Sequence, residues 1–475
     1  MVRDTLFEPP QTQPPVRDGI SMPQRARAAA VIVLGVTISA LDGTIINLAL
    51  PMVARDLSTS AADAVWVISA YQLVALTMIL PCAAMGDRVG HKWVYLAGVA
   101  VFAVASGVCF TATSLTMLAL ARGAQGLGAA GIMAVNGALL RLIFPSRLFG
   151  RAIAMNSGII AAASAAGPSV AAAILSVATW PWLFMINIPL GILLIGLGWR
   201  ALPYTHKPQA QRHRLAIWDV MLNVLTFGLV FLGAQALASA LGYEAQLTVF
   251  VFPLVLLLAG LAFAGVYLRR QRSLPMPLFP VDLLRIPLFR LSICTSVATF
   301  ASQALVYVAL PFLMLDLWGR SAGEAGLVMS SWPLAVLFMA PLAGMLIGRY
   351  SGGLLGAMGL ALLTTGLVLM ATLDGVPSLQ SIVWRMALCG IGFGLFQSPN
   401  NHTILTAAPA SRSGAAGGML GTARLTGQVL GAVMLALIFT LNRSHPGDGP
   451  VMALWVAASL AALAGVFSAL RIRHA

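Results

Sequence analysis

Charge is scarce in this sequence. Only 9% of its 475 residues are Asp, Glu, Lys or Arg, while 59% are hydrophobic and the mean hydropathy is +0.91. A soluble chain of this length needs far more charge to cover its surface, so the composition excludes a soluble globular protein and points to an integral membrane protein. Cysteine is also sparse: Cys82, Cys109, Cys294 and Cys389 all fall in apolar stretches, without metal-ligand spacing, and read as buried thiols. The six histidines are scattered, His206 and His213 in a basic loop and His402 near a span end, so no metal constellation emerges. There is no Gly-Lys-Ser/Thr phosphate loop, which argues against ATP drive, and no nucleophile–base set that would suggest an enzyme. The net charge of +14 would suit a nucleic-acid binder, but its placement argues against one. Residues 1–27 are polar and Pro-rich with no apolar core, which reads as a disordered cytoplasmic tail rather than a signal peptide.

Apolar runs are abundant. Hydropathy predicts fourteen membrane spans, at about 28–50, 64–85, 93–111, 116–141, 152–176, 182–201, 218–240, 247–268, 291–315, 323–347, 353–373, 379–405, 414–440 and 451–470. An even number puts both termini on one side. Of the 28 Lys and Arg, 22 then fall on the side of the termini, three (Arg55, Arg320, Arg443) on the other, and three (Arg122, Arg385, Arg424) within spans. The positive-inside bias makes both termini cytoplasmic, with the surplus charge facing anionic lipid.

The halves repeat. Pro145-Ser-Arg147-Leu-Phe-Gly150 has a counterpart in Pro409-Ala-Ser-Arg412-Ser-Gly414, Gly167 corresponds to Gly431, and Arg122 is paired with Arg385. The predicted organisation is a cytoplasmic tail (1–27), a six-helix bundle (28–201), loops with an inserted hairpin of helices seven and eight (202–290), a second six-helix bundle (291–470) and a short tail (471–475).

Four motifs stand at helix ends: Asp42-Gly-Thr-Ile-Ile-Asn47-Leu-Ala-Leu-Pro51, Gly86-Asp87-Arg88-Val89-Gly90-His91-Lys92, Arg122-Gly-Ala-Gln125-Gly126-Leu-Gly128, and Trp180-Pro-Trp182-Leu-Phe184-Met-Ile186-Asn187-Ile-Pro189. Their order resembles the major facilitator superfamily and, with fourteen spans, its fourteen-helix drug:proton antiporter branch. The sequence departs from that pattern at Ala83, Pro181 and Gly348, where Gly, Arg and Asp are usual, and at Ala163, Ala171 and Ala172 around Gly167-Pro168. The resemblance implies an all-α major facilitator fold, two six-helix bundles plus a two-helix central insertion. It also implies proton-coupled efflux of amphiphilic drugs, dyes or quaternary ammonium compounds by alternating access. No cofactor is expected, since the proton gradient supplies the energy. The expected partners are lipophilic small molecules, protons and membrane lipids, with no nucleic acid, for a monomer in a bacterial cytoplasmic membrane. Export of one dedicated metabolite or lipid, or a transport-inactive sensor, are the alternatives.

Asp42 is the one carboxylate placed securely within the hydrocarbon, where an ionisable group is costly and is a functional candidate by default. Arg122 lies at similar depth, and the two are expected to pair across the cavity of the first half, as a proton-coupling couple or as a static ion pair. Asp87, Arg88 and Gly90 form a gating latch or a solvated turn. Gly167-Pro168 is a hinge or a packing point. The cavity candidates are Asn47, Tyr71, Gln72, Gln125, Gln303, Tyr307, Trp332, Gln397, Asn400 and Arg424, the other reading of the polar ones being helix–helix hydrogen bonding. Asp316 is within sequence-estimated reach of Arg385. One embedded acid against three embedded arginines suits neutral or anionic cargo as well as cations.

Overall fold

In a bilayer core no water satisfies the backbone, so a chain this apolar must fold into helices that close their own hydrogen bonds. The computed structural model describes residues 19–204, 217–241, 247–274, 277–409, 412–443, 445 and 447–474. Arg3, Arg17, His206, Lys207, Arg212, His213 and Arg214 lie outside these residues.

Fourteen long helices follow one another. They are α1 (Gln24–Asp56), α2 (Trp66–Val89), α3 (His91–Phe110), α4 (Leu115–Ile143), α5 (Ser146–Leu175), α6 (Asn187–Ala201) and α7 (Ile217–Ala240). Then come α8 (Leu247–Ser273), α9 (Pro287–Phe312), α10 (Ala322–Leu346), α11 (Gly352–Ala371), α12 (Leu379–Ala407), α13 (Ser413–Leu441) and α14 (Asp448–Leu470). Among the described residues, thirteen segments are long and apolar enough to span a bilayer, and α5 contributes a shorter apolar run over Ala162–Leu175. Large apolar side chains such as Leu120 (72% exposed) and Phe338 (74%) point outward, as a lipid-facing surface requires.

The helix ends carry capping chemistry. Ser114, Ser321 and Ser378 each accept a backbone N–H at the start of α4, α10 and α12, and Ser321 with Glu324 forms a full capping box. Several ends differ from expectation by five or six residues: α5 begins at Ser146 rather than 152, α6 at Asn187 rather than 182, and α8 ends at Ser273 rather than 268. α1 does not stop before Pro51 but runs through it to Asp56, because neighbouring helices bury Pro51 and tolerate the missing donor.

Helix pairings repeat between the halves. In the first, α2 and α3 pack on α4, α1 on α5, and α3 on α6; in the second, α10 and α11 pack on α12, α9 on α13, and α11 on α14. Across the halves, α5 packs on α10 and α13 on α2, as a pseudo-twofold axis demands. The close crossings repeat as well. A methyl added to Gly128 would lie 2.6 Å from the Gly98 carbonyl oxygen, and one on Gly392 2.5 Å from that of Gly359. Helices α7 and α8 form a hairpin on the periphery with most of their apolar surface exposed. It is tied to α2 where the Asn223 amide donates to the Thr77 carbonyl at 3.0 Å.

The face opposite the termini is clasped across the halves. Arg55, at the end of α1, pairs with Asp316, which a π-helical turn (Leu313–Leu317) presents after α9. Asp63 lies 4.0 Å from Arg443, and Ser169 in α5 shares a 2.7 Å hydrogen bond with Ser330 in α10. Asp316 therefore does not reach Arg385: the extension of α1 beyond Pro51 brings Arg55 to it instead.

Gly128→Leu and Gly392→Leu should each separate their helix pair at a cost of about 1–3 kcal/mol or more. The expected outcome is a lower melting temperature and less monodisperse protein. Wild-type melting in both variants would show that these crossings tolerate a side chain.

Candidate functional site

A lone carboxylate buried in a helical bundle must be matched by charge and hydrogen bonds or it neutralises. Asp42 meets that demand fully. It is fully buried, and its Oδ2 accepts from Arg122 Nη1 at 2.6 Å. Its Oδ1 accepts from Gln125 Nε2 at 2.9 Å and from Asn187 Nδ2 at 2.8 Å. The guanidinium is held in turn: Arg122 Nη1 also donates to Gln125 Oε1 at 2.6 Å, and Nε donates to the Val67 carbonyl at 3.2 Å. Gln125 completes its own set by donating to Ser106 Oγ at 2.8 Å. The Tyr71 ring stands 4.4 Å from the guanidinium carbon and that of Phe184 5.7 Å, both within cation–π range.

Helices α1, α2, α3, α4 and α6 all contribute to this cluster, so the first half is knitted around one carboxylate. The pair does not sit across a cavity, as the spacing suggested. It lies inside the first bundle, because Asp42 projects from the face of α1 that packs on α4 and α6. Asn187 is a site residue that sequence reasoning passed over. Its only signal was membership of the Trp180–Pro189 motif, since an Asn at a helix start otherwise reads as a cap.

One residue further along, α1 turns to a different environment. Gly43, Thr44 and Asn47 line a cavity of about 590 Å³ between the two halves. Seven of the ten cavity candidates line it: Asn47, Gln72, Gln303, Tyr307, Trp332, Gln397 and Arg424. Helices α10 and α12 carry it from Trp332 and Phe393 to Pro341 and Asn401, toward the face of the termini and away from the clasps. Tyr307 and Phe393 flank Trp332, with centroids at 5.6 and 5.9 Å.

The other three candidates serve elsewhere. Gln125 and Tyr71 belong to the Asp42–Arg122 cluster; the polar and aromatic groups that would suit a cavity also suit a buried ion pair. Asn400 is fully buried, donating to Ser296 Oγ at 2.7 Å and accepting from Arg471 at 2.6 Å. Arg471, assigned by sequence to a short tail, is buried by this contact and by Ser292 and Ser468.

Four buried polar atoms with no hydrogen-bond partner belong to residues of the cavity wall: Asn47 Oδ1, Gln72 Oε1, Trp332 Nε1 and Arg424 Nε.

The proposed correspondence of Arg122 with Arg385 does not survive the packing. Gly126 abuts the Tyr71 carbonyl as Gly390 abuts that of Trp332, and Gly128 corresponds to Gly392. Counting back equally from these glycines, Arg122 falls opposite Met386, and Arg385 is one residue out of register. One residue is about 100° of helix rotation. Arg385 accordingly turns aside to the Leu369 carbonyl at 3.0 Å and the Ser381 carbonyl at 2.8 Å. The buried ion pair is thus confined to the first half.

The remaining candidates fall at helix junctions. Asp87 and Arg88 are exposed at the end of α2, with Asp87 3.4 Å from His91 Nε2. Gly90 joins α2 to α3 with φ of +111°, a conformation that only glycine adopts without strain. Gly167 packs on Thr44 and the Leu41 carbonyl of α1, and the Pro168 carbonyl would lie 2.9 Å from a methyl on Gly326 of α10. The Gly167-Pro168 pair therefore stands where α5 touches both halves.

Comparison with known proteins agrees with this architecture. The sequence profile described as Major Facilitator Superfamily matches residues 32–289. The chain is 48% identical to the uncharacterized transporter YebQ of Escherichia coli (strain K12) over 96% of this chain and 97% of the relative. It is 30% identical to the riboflavin transporter RibZ of Clostridioides difficile (strain 630), covering 92% and 96%. It is 29% identical to the multidrug resistance protein Stp of Mycobacterium tuberculosis (strain CDC 1551 / Oshkosh), covering 90% and 76%.

Removing one partner of the buried pair should cost more than removing both charges. Arg122→Ala is expected to destabilise by about 3–5 kcal/mol, and the double variant Asp42→Asn/Arg122→Gln by clearly less. Thermal denaturation of the purified variants checks this, and a double variant worse than either single one would contradict it.

Proposed function

We propose, from the premise that this chain belongs to the Major Facilitator Superfamily and is a multi-pass membrane transporter, that it exports amphiphilic aromatic drugs and dyes in exchange for protons. The observation that carries the reading is Asp42: one carboxylate, sealed from water, held by Arg122, Gln125 and Asn187 beside a cavity. Both termini are placed in the cytoplasm by the positive-inside bias, so the clasped face is the outer one and the cavity lies on the cytoplasmic side of the clasps.

In this conformation Arg122, Gln125 and Asn187 all donate to the Asp42 carboxylate. In the opposite state the two groups separate and a proton takes the place of Arg122 on the carboxylate. Arg122 keeps the Val67 carbonyl and Gln125 as acceptors when Asp42 is neutral, which lessens the cost of losing its counter-charge. The shift reaches the cavity because consecutive residues of α1 serve both places. Opening the outer face breaks Arg55–Asp316 and Asp63–Arg443. The halves would then rock about the α5–α10 and α2–α13 contacts, with Asp87, Arg88 and Gly90 acting as the inner latch. Aromatic walls at Tyr307, Trp332 and Phe393 suit flat lipophilic cargo, and Stp supports drug export as its class.

A second reading, export of one dedicated metabolite, is favoured by the likeness to RibZ along most of both chains and by the fixed polar groups of the cavity wall. The breadth of a substrate panel separates the two.

Asp42→Asn should abolish compound-driven proton release from energised everted vesicles while the variant still inserts and melts as a folded protein. Near-normal exchange in that variant would discard the coupling role. A sharp response to one compound among many would favour the dedicated exporter.

A further inference from the structure

We infer that the central cavity selects flat aromatic solutes bearing a negative charge and rejects cations, with Arg424 as the residue that reads the charge. The inference rests on the reading of this cavity as the transport site and names the class of cargo it takes.

Arg424 lies in α13 about 17 Å, at 1.5 Å per residue, from the start of that helix, which puts its guanidinium deep in the membrane. Its Nε is buried without a partner, and among the described residues no carboxylate pairs with it. A guanidinium at that depth is costly and is normally paired or bonded to backbone oxygens. Arg122 shows the paired arrangement, Arg385 the backbone one, and Arg424 neither. Packing does not demand a cation there. By the register of Gly167 and Gly431, the equivalent position in α5 is Ile160, an aliphatic residue lining the same cavity.

Among the described residues, no Asp or Glu lines the cavity. The acid beside it, Asp42, turns away from it and is committed to three donors. The Asp42–Arg122 pair is close to neutral, so the charge left facing the cavity is that of Arg424. In a low-dielectric enclosure a positive charge repels cations and attracts anions far more strongly than in water. A planar guanidinium also presents two parallel donors to a carboxylate or sulfonate. The Tyr307, Trp332 and Phe393 rings supply the face for a flat solute. Quaternary ammonium cargo, part of the sequence expectation, lacks the carboxylate it would need here.

The test uses two probes of one shape and opposite charge, 1-pyrenesulfonate and (1-pyrenylmethyl)trimethylammonium, radiolabelled and bound to the purified full-length chain without a proton gradient. Wild type should bind the sulfonate about tenfold or more tighter than the ammonium. Arg424→Gln should lose about tenfold or more of the sulfonate affinity with little change for the ammonium, and Arg424→Lys should recover much of it. Equal affinity for the two probes, no sulfonate binding, or sulfonate affinity unchanged in Arg424→Gln overturns the inference. The wild-type comparison decides by itself should Arg424→Gln fail to fold. Because no gradient is present, a sulfonate preference that persists in a chain showing no proton exchange sinks the export reading and leaves the charge selectivity standing. Proton exchange driven equally by both probes does the reverse.

Discussion

The first bundle is organised around the cost of keeping one carboxylate and one guanidinium out of water. Neither Asp42 nor Arg122 is tolerable alone at that depth, and together they still leave oxygens and N–H groups to satisfy. Gln125, Asn187 and the Val67 carbonyl fill those places, with Ser106 behind Gln125. Five helices are thereby fixed relative to each other by polar geometry in a setting where apolar packing alone discriminates weakly between arrangements. The corresponding place in the second half is held by apolar packing, Met386 standing where Arg122 would be. The two halves share a fold but not a chemistry.

This asymmetry separates the proposed ion site from the cavity by the width of one helix. Asp42 faces the bundle, while Gly43, Thr44 and Asn47 face the space between the halves. The Tyr71 ring lies 4.4 Å from the Arg122 guanidinium carbon. In the proposed transport cycle the pair would act on the cavity through α1, with no need for cargo and proton to share a ligand.

The contacts between halves have the character expected of surfaces that must part. On the clasped face they are exposed or half-buried ion pairs and a single hydroxyl–hydroxyl bond, Ser169 with Ser330, each individually weak. Within each half the contacts are glycine crossings at backbone distance and a desolvated polar network. A clasp of individually weak polar contacts beside the closer α5–α10 crossing, where the Pro168 carbonyl meets Gly326, suits rocking about that crossing.

The sequence by itself determined the helical class and the number of helices, because hydropathy over about 20 residues and lipid thickness leave little choice, while individual ends moved by up to six residues. It also singled out Asp42 and Arg122, because ionisable groups in an apolar span stand out by their cost. It did not determine where those residues face. Asn187 was passed over, Gln125, Tyr71 and Asn400 were assigned to the wrong surroundings, and Arg385 was matched to Arg122 although it lies one position out of register. The physical reason is common to these cases. Hydropathy fixes depth along a helix, but the rotation of each helix about its axis is set by which glycines meet which carbonyls on the neighbouring helix, and 100° per residue makes a single step decisive. Only the packed bundle brings Asn187 to Asp42, seals Arg122 from the cavity and leaves Arg424 facing it without a carboxylate.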